Sequence, residues 1–271
     1  MSHRWKVDLN AGSYYPDLAS SLDGDDLGLG YENESETGMS FHAFSNHLDT
    51  LEAPASVSDR LLSLELLLNG ALRLVYGAEI YFSHPVRFGD FWNLDTTQRY
   101  RRNSMLPEES PFENAVQSVA GGGTPAHPVA QLIALSRDDV GLRTLMFHAG
   151  LLSWPGHEGQ LFAWGSLYKV FDTVRTLANE RGLDPYKHVE SAKINAFTGA
   201  CNKMSVLGLS ARHGLAVADP KAMKAATPTL EEATHNVMAM ARVLLPAGCD
   251  YWPAPNVAEQ VQFNSADLFD I

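Results

Sequence analysis

Apolar residues recur with two different periods along this chain, and the change of period organises it. Over residues 5–9, Trp5, Val7 and Leu9 alternate with Lys6 and Asp8, as in a strand buried on one face, and Gly12 and Pro16 close it as a turn. Residues 39–44 predict a second strand and 29–33 a third, set in a loop rich in Gly, Asp, Glu and Ser. From 56 to 76 the period becomes helical: Leu61, Leu64, Leu68, Ala71, Leu72 and Val75 recur at three and four residues. Leu62, Leu66 and Leu67 widen that stripe, so this helix is expected to be covered on more than one side. Ser56 and Asp59 have capping-box spacing at its start, and Gly77 supplies its stop. Two strands follow, 80–82 and 86–92, with Gly89 and Asp90 as a bend or bulge, and 98–102 is placed to pair with them.

Beyond residue 108 the pattern changes. Pro111, Gly121, Gly122, Gly123, Pro125 and Pro128 mark 108–128 as a linker, and helical periodicity dominates after it. A short helix is expected at 128–135, then one carrying Val140, Leu142, Leu145 and Met146 and capped by Ser136 or Asp138. Over 160–179, Trp164, Leu167, Tyr168, Phe171, Val174, Leu177 and Ala178 form one stripe that Gly182 ends. Residues 186–204 put Val189, Ala192, Ala196 and Ala200 on one face, which predicts a close helix crossing through small side chains. Thr229 and Glu232 form a capping box after Pro228 and open a last helix that Pro246 and Gly248 stop. The expected architecture is α+β: residues 1–115 as an N-terminal antiparallel sheet with a packed helix, and 116–271 as an α-helical bundle with a short tail from 251.

Composition narrows the function. At 271 residues and 45% apolar content the chain can bury a real core. Its formal charge is −12, and residues 1–50 alone hold nine acids against two bases. That balance repels phosphate backbones at long range, so broad nucleic-acid binding is disfavoured while a local basic site is not. Cys201 and Cys249 form no CxxC pair, the N-terminus lacks an apolar signal region, and no run approaches the roughly 18 apolar residues of a membrane span. These features predict a soluble cytoplasmic protein with no membrane partner.

Several chemistries lack their motifs. The triple glycine is not followed by Lys-Ser or Lys-Thr, and there is no HExxH or Gly-x-Ser-x-Gly; His42 and His47 stand five apart without a carboxylate pattern. No metal or cofactor is expected. The basic and aromatic run Arg99, Tyr100, Arg101, Arg102 reads as a surface strand rather than a base-stacking platform. The best chemical lead is Arg212 beside His213, after Gly208, Leu209 and Ser210 and before Gly214. A histidine passes a proton near neutral pH and an arginine holds a phosphate, which together suffice for metal-independent phosphodiester cleavage. Adjacent residues do not share a helix face, so both would serve one site only from a turn or a helix end. Asn202 and Lys203 become their companions if the chain bends near Gly208, and the Tyr168 hydroxyl is a further candidate. In the alternative, Arg212 pairs with Glu231 or Glu232, His213 caps a helix end, and the acidic front half meets a protein partner.

The ordered series Trp164, Leu167, Tyr168, Lys169, then Asn202, then Ala211-Arg212-His213-Gly214, then Thr229, Leu230, Glu232 and Ala233 resembles a widespread group of uncharacterised bacterial proteins. Their C-terminal helical module is similar to the HEPN class of bundles found in bacterial defence and toxin systems. Several of those are RNases whose Arg and His are spaced to line one groove, usually across a dimer. The resemblance implies a helical bundle, an RNA or homodimer partner, and a site in which Arg212 and His213 act with Asn202 while Tyr168 and Lys203 bind substrate. Here the Arg and His are adjacent, a departure from that spacing.

Overall fold

The structure is a computed structural model and describes residues 3–10, 18–19, 22–34, 38–77, 85–103, 106–113, 127–153, 156–211, 227–247 and 249. In chain order it contains β1 (Trp5–Asn10), β2 (Gly28–Glu34), β3 (Gly38–Phe44), α1 (Asn46–Asp49), α2 (Pro54–Tyr76), β4 (Arg87–Asn93) and β5 (Gln98–Tyr100). The helices α3 (Pro128–Leu135), α4 (Val140–Leu151), α5 (Gly156–Glu180), α6 (Ser191–Cys201), α7 (Met204–Leu207) and α8 (Leu230–Ala241) follow, with 3-10 turns at Gly208–Ser210 and Arg242–Leu244. The α+β class is as expected. The expected strand at 80–82, the division at 115 and the tail from 251 lie outside the described residues.

All pairings in the five-stranded sheet are antiparallel, in the order β2-β3-β1-β4-β5. Alternation along β1 turns Trp5, Val7 and Leu9 inward, where Leu29 and Ala43 join them. Between β1 and β4 the register passes from Val7 opposite Phe91 to Leu9 opposite Phe88, so β4 carries one extra residue at Gly89 and Asp90. This bulge lets both Phe88 and Phe91 face the core.

The core is built round α2, which is buried on every side over most of its length, as its broad leucine stripe predicted. It starts two residues earlier than expected: Pro54 occupies the first turn, Ala53 is the N-cap, and no side chain caps it. Proline needs no partner for the amide it lacks and fixes φ for the first turn, so the Ser56 and Asp59 box is not used. Gly77 ends the helix at φ 79°. Against one face of α2 lies α4, and two glycines set the crossing. A Cβ at Gly70 would overlap the Met146 carbonyl oxygen, and one at Gly150 would overlap the Leu66 carbonyl oxygen. The pairs run in opposite directions, so the helices are antiparallel with their backbones in contact over one turn. Asp139, not Ser136 or Asp138, caps α4, its Oδ1 accepting from the Leu142 amide at 2.9 Å.

Polar side chains on the buried helix are all put to use. Asn69 accepts from the Val86 amide and donates to its carbonyl, both at 2.9 Å. One turn earlier Glu65, 3% exposed, accepts from the Phe88 amide at 2.8 Å, from Arg87 at 3.0 Å and from Arg102. These contacts pin β4 and draw Arg102 inward, away from any role at the surface. Arg73 donates to Ser153 Oγ and the Leu152 carbonyl, each at 3.0 Å, and Arg87 reaches the Ser153 carbonyl. Two guanidinium groups therefore meet the C-terminal end of α4, where the helix dipole favours cations. Burial pulls the Arg73 guanidinium down to about 10.

Part of the expected linker is fixed to α2. Arg60 binds Glu108 at 2.9 Å and also Glu113, while Ser63 accepts from the Glu108 amide at 2.7 Å. Glu113 in turn donates its amide to His47 Nδ1 at 3.0 Å, leaving the His47 proton on Nε2, which meets Asp26 at 2.7 Å. Arg137 from the α3–α4 turn reaches the same Asp26 oxygen at 3.0 Å. One buried apolar cluster runs from Trp5 in the sheet to Leu244 after the last helix.

The glycine crossing yields a stability prediction. Gly70→Ala and Gly150→Ala each gain about 1 kcal/mol of helix propensity, yet forcing the backbones apart costs about 1–3 kcal/mol or more. Both variants should lower the urea midpoint, while Gly165→Ala, where a Cβ meets nothing within 4 Å, should not.

Three histidines give a pH prediction of one sign. Burial pushes His42 below its ordinary 6.5 with help from Lys6, burial alone lowers His127, and burial with Lys169 lowers His148. The unfolded chain takes up these protons first, so stability is full above pH 6.5 and falls as pH drops below it. Urea midpoints measured across that range should decline toward acid, and His42→Gln should flatten the decline.

Candidate functional site

Of the residues singled out for chemistry, Tyr168 lies on α5 and Asn202 and Lys203 follow α6, the helix that forms a hairpin with it. On α5, Trp164, Leu167, Phe171, Val174, Leu177 and Ala178 are buried along one stripe. A Schellman motif ends the helix: Gly182 has φ 66°, its amide donates to the Asn179 carbonyl at 3.2 Å, and the Leu183 amide donates to the Ala178 carbonyl at 2.8 Å. Helix α6 returns with Ile194, Phe197, Ala200 and Cys201 inward. The crossing differs from the expected alanine face, because Ala192 is exposed and Ala196 only half-buried. Ile194 and Phe197 remove more apolar area from water, and that difference sets the rotation of the helix. Phe197 stacks on Trp164 with centroids 6.0 Å apart and planes at 18°.

Tyr168 is half-buried within this aromatic group. Its ring meets Phe171 edge-on at 5.4 Å and lies tilted to Phe197 at 6.3 Å, so much of its surface serves packing. Cys201 Sγ lies 4.0 Å from the Trp164 carbonyl oxygen, which sets the end of α6 level with Trp164, one helical turn before Tyr168. Asn202 is the exposed C-cap there. Lys203 is half-buried; its amide donates to the Ala200 carbonyl at 3.1 Å, and its own carbonyl accepts from Val206 at 3.0 Å and Leu207 at 3.1 Å. The chain then bends at Gly208, whose φ is 58°, and the 3-10 turn packs back against α5. The expected bend is present; Asn202 and Lys203 follow the end of α6 at the level of Trp164, and Tyr168 packs against Phe197 one turn further along α5. Arg212 and His213 lie outside the described residues.

Helix α8 packs beside α5 and α6, and a groove of about 630 Å³ between α6 and α8 is lined by Lys193, Ala196, Pro228, Glu231, His235 and Asn236, among others. At its rim the predicted capping box is complete: Thr229 Oγ1 accepts from the Glu232 amide at 3.1 Å, and the Glu232 carboxylate accepts from the Thr229 amide at 2.7 Å. The cap thus occupies one of the two acids considered as partners for Arg212. Glu231 has no polar partner among the described residues.

The whole-chain charge hides one signal. Residues 191–230 hold five bases (Lys193, Lys203, Arg212, Lys221, Lys224) against the single acid Asp219, within a chain of charge −12. The stretch that carries the Arg-His pair is thus locally basic, although it is flanked by Glu190, which pairs with Lys193 at 3.3 Å, and by Glu231 and Glu232. Among the described residues no three His, Cys, Asp or Glu side chains come together as a metal site. No known protein family, curated protein or solved structure matches the chain.

The cap gives a direct test of what holds the groove's rim. Thr229→Ala should cost about 1 kcal/mol in chemical denaturation and Thr229→Ser almost nothing.

Proposed function

We propose that the C-terminal helices form a HEPN-like module of a bacterial defence or stress system that cleaves RNA at Arg212 and His213 without a metal. The observation that carries this reading is the charge pattern: one stretch of an acidic chain is basic, and it contains an ionisable histidine beside an arginine. A local basic site concentrates phosphate where the rest of the surface repels it. In this reading His213 accepts the proton of a ribose 2′-hydroxyl, whose oxygen attacks the adjacent phosphorus and displaces the 5′-oxygen. The products are a 2′,3′-cyclic phosphate and a 5′-hydroxyl, the latter protonated by water or by the histidinium. Arg212 holds the charge that develops on the phosphoryl oxygens. Exposed Asn202 positions the strand, Lys203 adds charge beside it, and Tyr168 contributes to substrate binding.

A second reading has its own support. Glu231 on the groove between α6 and α8 suits a cationic or protein ligand better than RNA, which favours a non-catalytic binding or assembly module, homodimeric or with another protein. In it Arg212 and His213 fix the turn between helices.

Incubation of single-stranded RNA with the protein in excess chelator separates the two. Cleavage that leaves cyclic phosphate ends, and that falls at least about a hundredfold in folded His213→Ala, the scale of a lost general acid or base, is the expected result. Equal cleavage by wild type and variant would remove His213 from the chemistry, and absence of cleavage by the wild type would leave the binding module.

A further inference from the structure

We propose that His47 is an acid-operated catch: it holds the far end of the strap at 106–113 and releases it when the ring takes a second proton. The strap is fastened to the core at two points. At the near point α2 alone holds Glu108: its carboxylate accepts from Arg60 Nε at 2.9 Å, its amide donates to Ser63 Oγ at 2.7 Å, and its carbonyl accepts from that hydroxyl at 3.1 Å. At the far point the Glu113 amide donates to His47 Nδ1 at 3.0 Å, Phe112 meets the same ring edge-on at 5.2 Å, and the Glu113 carboxylate reaches Arg60.

An amide bonded to Nδ1 needs the lone pair there, so the ring is neutral, with its proton on Nε2 toward Asp26 Oδ1 at 2.7 Å. A second proton has only Nδ1 to go to, and it would set two N–H groups against each other at 3.0 Å. The imidazolium keeps Asp26 and loses Glu113. The ring has no room to turn and save that bond. His47 is 0% exposed, its amide is fixed by Ser45 Oγ at 3.2 Å and its carbonyl by Arg60 at 3.0 Å, and Arg137 holds Asp26 at 3.0 Å.

The charges around the ring come from every element packed on it: Asp26 ahead of β2, Arg60 from α2, Arg137 from the α3–α4 turn, and Glu108 and Glu113 from the strap. Asp49, on the same helix as His47, is engaged by His3 and the Arg4 and Trp5 amides. Three carboxylates and two guanidiniums thus form the cluster, and one added proton brings it to neutrality at the expense of one hydrogen bond. Nothing at the Glu108 anchor depends on His47, so the strap opens from its Glu113 end and stays tethered at Glu108. This local release differs from the acid loss of stability set by His42, His127 and His148, which acts on the whole fold.

Amide hydrogen exchange by NMR on the full chain, each rate divided by its intrinsic rate at the same pH, tests the proposal. Between about pH 7.5 and 5.5 the protection of the Glu113 amide should fall at least about tenfold, while amides within α2 change far less. Over the same range the ring-nitrogen shifts of His47 should pass from the Nε2–H tautomer to the doubly protonated form. His47→Gln cannot take up the proton, so its Glu113 protection should stay level. If that variant does not fold, the wild-type ring shifts still decide, because loss of Glu113 protection must track protonation of Nδ1. Constant Glu113 protection, an equal fall throughout α2, the same fall in His47→Gln, or a fall while Nδ1 stays unprotonated would each overturn the proposal.

Discussion

The contact between α2 and α4 is the constraint on which the other elements depend. A helix carrying leucine on every side must find apolar cover in every direction, and α2 finds it in the sheet, in α3 and α4, and in the strap at 106–113. Gly70 and Gly150 bring two backbones to a separation that no larger residue permits, and that close approach fixes the height of the helical layer above the sheet. The hairpin of α5 and α6 then packs on α4, and the candidate site rides on that hairpin. Dispersion at such a crossing is gained atom by atom, so displacing either helix would loosen contacts well beyond the two glycines.

Polar residues inside α2 make the burial possible. Glu65, Asn69 and Arg73 lie one turn apart along the helix and face groups that would otherwise be stranded: the start of β4, the Arg102 guanidinium and the carbonyl end of α4. A buried charge is costly when it is left without its partner, so each of these residues ties the position of a distant segment to the helix. They fix register, whereas the leucines alone would allow sliding.

Periodicity made the elements legible, and local rules failed where a tertiary contact outbid them. The alternation in β1, the width of the leucine stripe and the Thr229 cap were readable because each is a local property. Ser56 with Asp59 looked like a cap, yet Pro54 starts the helix two residues sooner. The alanines of α6 suggested a tight crossing, but Ile194 and Phe197 bury more surface and turn the helix toward themselves. Proline and glycine over 108–128 suggested a linker, and only the fold reveals Arg60 and Ser63 holding its first residues. At the site, Arg212 and His213 drew notice as a pair; the basic stretch around them was equally present in the sequence and was masked by the net acidity of the whole.

The order of elements along the chain has a consequence for biosynthesis. Helix α2 ends at Tyr76, while the face that α4 covers stays bare until Gly150 has been made. At roughly 5–20 residues per second, that leaves the central buried helix of the protein without its main partner for several seconds on the ribosome. The sheet strands that flank it in sequence offer partial shelter in the interval. A nascent chain stalled between these two points would present the leucines of α2 to the chaperones of the cell rather than to its own fold.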